Sequence, residues 1–77
     1  MEELLLALIK PLVTKPENVR IETVTSAEDG LIVYRIYVAE EDMGLIIGKR
    51  GRTAKSIRQT ARAAAMRKNM QIAVEIG

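Results

Sequence analysis

The sequence predicts an α+β fold in the order α-β-β-α-α-β, a three-stranded mixed sheet with helices on one face. Apolar residues recur with helical spacing at the amino end and again through residues 54–64, the period of helices with one buried stripe. Two other stretches alternate apolar and polar residues on either side of Asp29-Gly30, the pattern of a hairpin. The last apolar run is reached only through helical segments, a crossover that lets it lie parallel to a partner strand. Helices laid over one face of such a sheet bury every apolar stripe. With 77 residues and 48% apolar content, the chain reads as one small domain over residues 1–77. At that size folding buries roughly 60% of the unfolded surface, so the core is modest.

The first helix is set by Leu5, Leu8, Ile9 and Leu12 at i, i+3, i+4 and i+7. Pro11 kinks it or ends it, because proline donates no backbone bond and disfavours helix at Lys10. Residues 14–18 (Thr-Lys-Pro-Glu-Asn) form a turn. Val19 to Thr23 alternate as a half-buried strand, and Ser26 to Gly30 break it. Leu31 to Val38 make the stronger second strand, with Ile32, Tyr34, Ile36 and Val38 facing the core and Arg35 and Tyr37 facing away. Glu40, Glu41 and Asp42 place negative charge at the start of a short helix over Met43–Ile47, which Gly48 closes. A longer helix runs from about Thr53 to Arg67 on a thin stripe of Ala54, Ile57, Ala61 and Ala64. Met70 to Ile76 form the last strand, with Ile72, Val74 and Ile76 on one face.

Composition removes whole classes of chemistry. The chain has no cysteine and no histidine, so disulfides, thiolate cages, Cys nucleophiles and Ser-His-Asp triads are excluded. Its longest apolar run, Leu4 to Ile9, is six residues, far below the roughly 20 that span a bilayer. Glu2 and Glu3 stand where a secretory signal would carry positive charge. These features set the expectation of a soluble, untargeted, cytoplasmic protein that makes no membrane contact.

The net charge of +2 is unequally spread. Residues 1–43 carry four basic and nine acidic side chains; residues 44–77 carry eight basic ones against Glu75 alone. No carboxylate occurs between Gly44 and Val74. That asymmetry fits a surface for a polyanion. It equally fits a helix whose cations pair with the acidic half.

The segment Ile46-Ile47-Gly48-Lys49-Arg50-Gly51 is the most informative in the chain. A bare G-x-x-G pattern has little specificity; here it joins two helices, follows a strand and holds two cations between its glycines. Glycine permits the positive φ and close approach that so tight a turn needs, and leaves room for a sugar-phosphate backbone against the peptide. The next helix turns its free amides and positive dipole end towards the loop. Arg52 and Lys55 extend the charge, and Lys55, Arg58 and Arg62 share a face at i, i+3 and i+7. The groove between the hairpin and the two central helices is the expected seat of bases.

Residues 39–65 (AEEDMGLIIGKRGRTAKSIRQTARAAA) resemble the core of KH domains, and the order of elements is similar to their type II, prokaryotic arrangement. The resemblance covers all 77 residues and is greatest to the KhpA-type family of stand-alone bacterial KH proteins. It implies a non-enzymatic protein that binds single-stranded RNA without a cofactor, about four nucleotides per domain, clamped at the backbone. Carried over by position, Gly48, Lys49, Arg50 and Gly51 form the clamp, with Arg52, Lys55 and Arg58 beside it. Ile46 and Ile47 occupy the apolar positions before it, and either could face the bases. The resemblance further implies an RNA chaperone that acts as a homodimer or with a larger Jag-type KH protein, and influences cell shape and wall synthesis.

Other features have plainer readings. Arg67 and Lys68 suit the carboxyl end of a helix dipole. Glu40-Glu41-Asp42 is helix-start electrostatics before it is a metal site. Gly44-x-x-x-Gly48 lacks a surrounding membrane segment, and Gly48-Lys49 lacks the spacing and the Ser or Thr of a Walker loop. Only Tyr34 and Tyr37 are aromatic, so stacking platforms are scarce; Tyr34 reads as core. A protein-interaction module with weak nucleic-acid binding, and a single-stranded DNA binder, remain as alternatives.

Overall fold

The computed structural model describes residues 1–76. Along them run α1 (Glu2–Ile9), β1 (Arg20–Thr25), β2 (Ile32–Tyr37), α2 (Met43–Ile47), α3 (Arg52–Arg67) and β3 (Ile72–Ile76). The sheet has the order β1-β2-β3. β1 pairs antiparallel with β2, Ile21 opposite Ile36 and Thr23 opposite Tyr34. β2 pairs parallel with β3, Tyr34 opposite Val74 and Ile36 opposite Ile76. The mixed sheet and element order are those the alternation and the crossover predict.

β1 continues two residues further than its alternation indicates, because Thr25 still finds a partner in Ile32. The hairpin closes through the Ser26 amide to the Leu31 carbonyl, 2.8 Å, and the Leu31 amide to Asp29 Oδ1, 3.0 Å. Tyr34 and Ile36 point under the helices and are buried; Arg35 points to the open face. There its guanidinium lies between Glu22 (3.2 Å) and Glu75 (3.1 Å), an ion pair to each flanking strand. Arg20 on the same face lies 5.5 Å from the centre of the Tyr37 ring.

Leu5 and Ile9 of α1, Ile46 of α2, Ile57, Ala61 and Ala65 of α3, and Ile72 and Val74 of β3 pack over the sheet as one cluster. Two expected core positions differ. Leu12 is 39% exposed, because Pro11 sits in a single 3-10 turn over Lys10–Leu12. That tighter winding carries Leu12 off the stripe, and Val13 packs against the core instead. On α3 the fourth stripe residue is Ala65, not Ala64. Eleven residues overshoot three turns of 3.6 by only about 20°, whereas ten fall about 80° short of closing them. α3 ends with Asn69 at φ 55°. The amide of Met70 bonds to the Ala65 carbonyl, 2.9 Å, and that of Asn69 to Met66, 3.1 Å, a Schellman closure.

Asp42 departs furthest from its sequence reading. Glu40 and Glu41 are exposed ahead of α2, but Asp42 turns inward and is fully buried. Its Oδ1 accepts from the Thr14 amide (3.1 Å) and hydroxyl (2.7 Å), and its Oδ2 from the Lys15 amide (3.1 Å). Burial alone would raise its pKa, but these hydrogen bonds and the nearby Lys15 charge hold it below the ordinary carboxylate value. The carboxylate thus ties the start of α2 to the α1–β1 connection.

A group whose folded pKa is depressed stabilises the fold at neutral pH, and that contribution is lost as pH falls through the folded value. Asp42→Asn turns an amide N–H₂ towards backbone or hydroxyl donors. It is expected to lower the melting temperature by at least about 5 °C at pH 7. Below the ordinary carboxylate range the two melting curves should converge, which thermal melts from about pH 7 to pH 2 measure.

Candidate nucleic-acid interface

The turn between α2 and α3 is built on three departures from helical geometry within four residues. Gly48 has φ 74° and ψ 176°, a region reserved for glycine. Arg50 has φ 56° and ψ 27°, and Gly51 has φ 72° and ψ 14°. The left-handed conformation costs Arg50 about 1 kcal/mol, which glycine at position 51 avoids. The two glycines are needed for different reasons. A methyl group at Gly48 would overlap the Thr53 hydroxyl and stand 2.7 Å from its Cβ, whereas at Gly51 it would meet nothing within 4 Å. Gly48 is therefore a close-approach glycine and Gly51 a conformational one. Thr53 is the site residue that sequence reasoning missed, and only the proximity of the two helices reveals it.

Lys49 and Arg50 are exposed at the crest of the turn. Gly51 caps α3 and no side chain caps it, so the first-turn amides of a 16-residue helix face the turn with its positive dipole end. Arg52 and Lys55 are exposed on the first turn and a half, and Arg62 further along. Arg58 is half-buried, and its Nε donates to the Val74 carbonyl at 3.2 Å. The rest of its fork is left for an anion. That bond places the cationic flank of α3 beside β3.

Ile46 and Ile47 diverge by the 100° between neighbours on a helix. Ile46 is fully buried and Ile47 is 42% exposed. Ile46 therefore anchors α2 in the core, and Ile47 with Leu45 supplies apolar surface near the turn. A five-residue helix carrying three consecutive large aliphatic residues cannot bury all of them, which is the signal for Leu45.

Among the described residues the ion pairs are Lys15–Glu41, Arg35–Glu22 and Arg35–Glu75. None uses a cation between Lys49 and Lys68. The acidic half is engaged within itself and across the sheet, so the reading in which α3 cations pair with it does not hold. No group of three or more metal-ligating side chains converges among the described residues, and no helix there is long and apolar enough to cross a membrane.

A three-stranded mixed sheet under three helices, with a glycine-bounded cationic turn between the last two, is the architecture of a type II KH domain, a binding module rather than an enzyme. The profile of the family described as KhpA/KhpB, KH domain, matches residues 2–76. The chain is 45% identical to a protein of Clostridium perfringens over 99% of both chains, and 46% identical to one of Listeria monocytogenes over 99% of this chain and 97% of that one. A Chlamydia pneumoniae protein is 45% identical over 99% of this chain and 95% of its own. Each of the three is named RNA-binding protein KhpA. The chain belongs to the KhpA/KhpB family of KH-domain proteins.

The unequal demands on the two glycines are measurable. Gly48→Ala combines a forbidden backbone region with the Thr53 overlap and is expected to cost about 2–4 kcal/mol in urea unfolding. Gly51→Ala should cost about 1 kcal/mol, the left-handed penalty alone.

Proposed function

We propose that this chain is a single-stranded RNA-binding protein of the cytoplasm that uses the Gly48–Gly51 turn as a backbone clamp. The observation that carries the reading is an exposed, glycine-bounded turn at the uncapped end of α3, flanked by cations without ion partners among the described residues. The relatives' printed names support RNA as the ligand. Lys49 and Arg50 meet phosphates from the crest, with Arg52, Lys55 and the free part of Arg58 behind them. Ile47 offers its aliphatic surface to a base, while Ile46 acts only by holding α2 in place. Binding needs neither metal nor nucleotide cofactor, since fixed cations and backbone amides do the work. The module acts as an RNA chaperone or post-transcriptional regulator, and RNA is preferred over DNA where the groove contacts the 2′-hydroxyl.

The test is anisotropy of a labelled single-stranded RNA. With about three phosphates neutralised, log affinity falls against log salt with a slope near −2. Lys49→Asp with Arg50→Asp should abolish binding while the melting temperature stays put, because both side chains are exposed. Unchanged binding by the double variant at moderate salt overturns the clamp.

A second reading concerns partners, and one observation favours it. α1, the turn after it and α3 leave an open cleft of about 330 Å³ walled mainly by Leu8, Leu12, Ile57 and Thr60, with Arg52 at its end nearest the turn. At 100° per residue, Thr53, Ser56 and Thr60 lie on the flank of α3 remote from Lys55, Arg58 and Arg62. A second copy, or a larger Jag-type KH protein acting in cell-shape and cell-wall regulation, docks there at the cost of covering Arg52, and leaves Lys49, Arg50, Lys55 and Arg58 open. Joining units in this way raises effective concentration for a ligand each grips weakly. Light scattering should give a dimer mass that Leu12→Lys reduces to a monomer while RNA binding per chain persists.

A further inference from the structure

The cationic flank of α3 does not end at Arg62. Positions 55, 62 and 66 fall within about 40° of one another around the helix, so Met66 continues the line of Lys55 and Arg62. Met66 is 74% exposed, the most open of the large apolar side chains. Beside it lies a cleft of about 200 Å³ lined by Arg62, Ala65, Met66, Met70, Gln71 and Ile72. Its walls are almost wholly apolar, with one guanidinium and one carboxamide among the lining side chains.

The cleft is a built feature. The Schellman closure fixes Met70 against Ala65, and Ile72 and Ala65 are core residues whose positions the sheet sets. α3 and β3 run in opposite directions, so one turn of α3 beyond the Arg58–Val74 bond brings Arg62 to Ile72 and this cleft. From Gly51 to Met66 is about 22 Å at 1.5 Å per residue. Four nucleotides at a stacked spacing of about 3.4 Å cover only about 14 Å. A strand gripped at the turn and continuing along α3 therefore arrives here beyond its clamped stretch.

We propose that this cleft receives a nucleobase of the RNA strand held at the Gly48–Gly51 turn, a proposal that rests on the RNA-binding reading above. The thioethers of Met66 and Met70 bracket the base, since sulfur packs favourably against aromatic rings and adapts to purine or pyrimidine. Arg62 takes the adjoining phosphate, and the Gln71 carboxamide reaches the base edge. Asp29, which lines the neighbouring hollow with Met70 and Gln71, repels phosphate from that side. The backbone is thereby kept on the Arg62 flank and the base turned inward.

Affinities for four- and eight-nucleotide RNAs of randomised sequence test this in the wild type and in Met66→Ser, which alters an exposed side chain and leaves the fold intact by melting. The wild type should gain more from the added length than extra binding registers supply. Met66→Ser should weaken the eight-nucleotide complex about five- to tenfold, the effect of one lost base contact, and change the four-nucleotide complex by less than about twofold. A single abasic site moved along the eight-nucleotide strand should reproduce the loss at one position outside the clamped four, and add nothing in Met66→Ser. Equal weakening of both lengths, or none, overturns the cleft as a base site while the clamp stands. If neither length binds the wild type, the RNA-binding reading falls, and the cleft with it.

Discussion

The distance between α2 and α3 at their junction governs the rest of the molecule. With Gly48 seated against Thr53, no Cβ fits between the helices, so the chain reverses in three residues and α3 starts immediately. A longer or looser turn would cover the first amides of α3 with its own backbone, and the positive end of the dipole would be spent internally. α2 alone cannot hold that geometry, because five residues lie far below the length at which a helix persists in water. It is held by three fixed points of different chemistry: Ile46 in the core, Asp42 pinned to the Thr14–Lys15 backbone, and the Gly48–Thr53 contact at its exit.

Charge is sorted by the same scaffold. The acidic residues cluster on α1, the hairpin and the run into α2, where Glu41 takes up Lys15 and Glu22 takes up Arg35, which Glu75 of β3 also meets. α3 then divides into three faces: an alanine-rich seam against the core, a hydroxyl-bearing flank towards α1, and a cationic flank towards β3. Small seam residues let α3 lie close to the sheet, which brings the Arg58 guanidinium within reach of a β3 carbonyl. β3 is an edge strand, and bonding one of its outward carbonyls to Arg58 both satisfies that group and fixes the arginine's direction. Arg58 thus belongs to the fold as well as to the proposed interface.

The parts legible in the sequence are those governed by period or by local backbone chemistry. Alternation located β2 and its core face, the crossover gave a parallel β3, and the glycines marked the turn. What was not legible depended on three-dimensional proximity. Neighbouring isoleucines at 46 and 47 look alike in a string, and only the direction in which a short helix docks separates core from surface. Asp42 carries the same letter whether it sits beside a helix start or reaches 28 residues back to Thr14. Leu12 and Ala64 leave the core stripe for a geometric reason: a proline-driven 3-10 turn and the fractional helical period rotate it by about 60° and about 80°.

The scarcity of aromatic residues then acquires a consequence. Tyr34 is core and Tyr37 lies under Arg20 on the open sheet face, so neither belongs to the cationic flank of α3. In the binding mode proposed above, contacts to bases there fall to aliphatic and thioether groups, Ile47 near the turn and the methionines at the far end. Such surfaces discriminate weakly, because they present few donors and acceptors to base edges and because methionine repacks around whatever it meets. Selectivity in a module of this kind cannot come chiefly from reading one groove. Under the proposed clamp, it rests on the path that the backbone is forced to follow between fixed cations, and, if units join as proposed, on a second unit whose geometry decides which strands reach both.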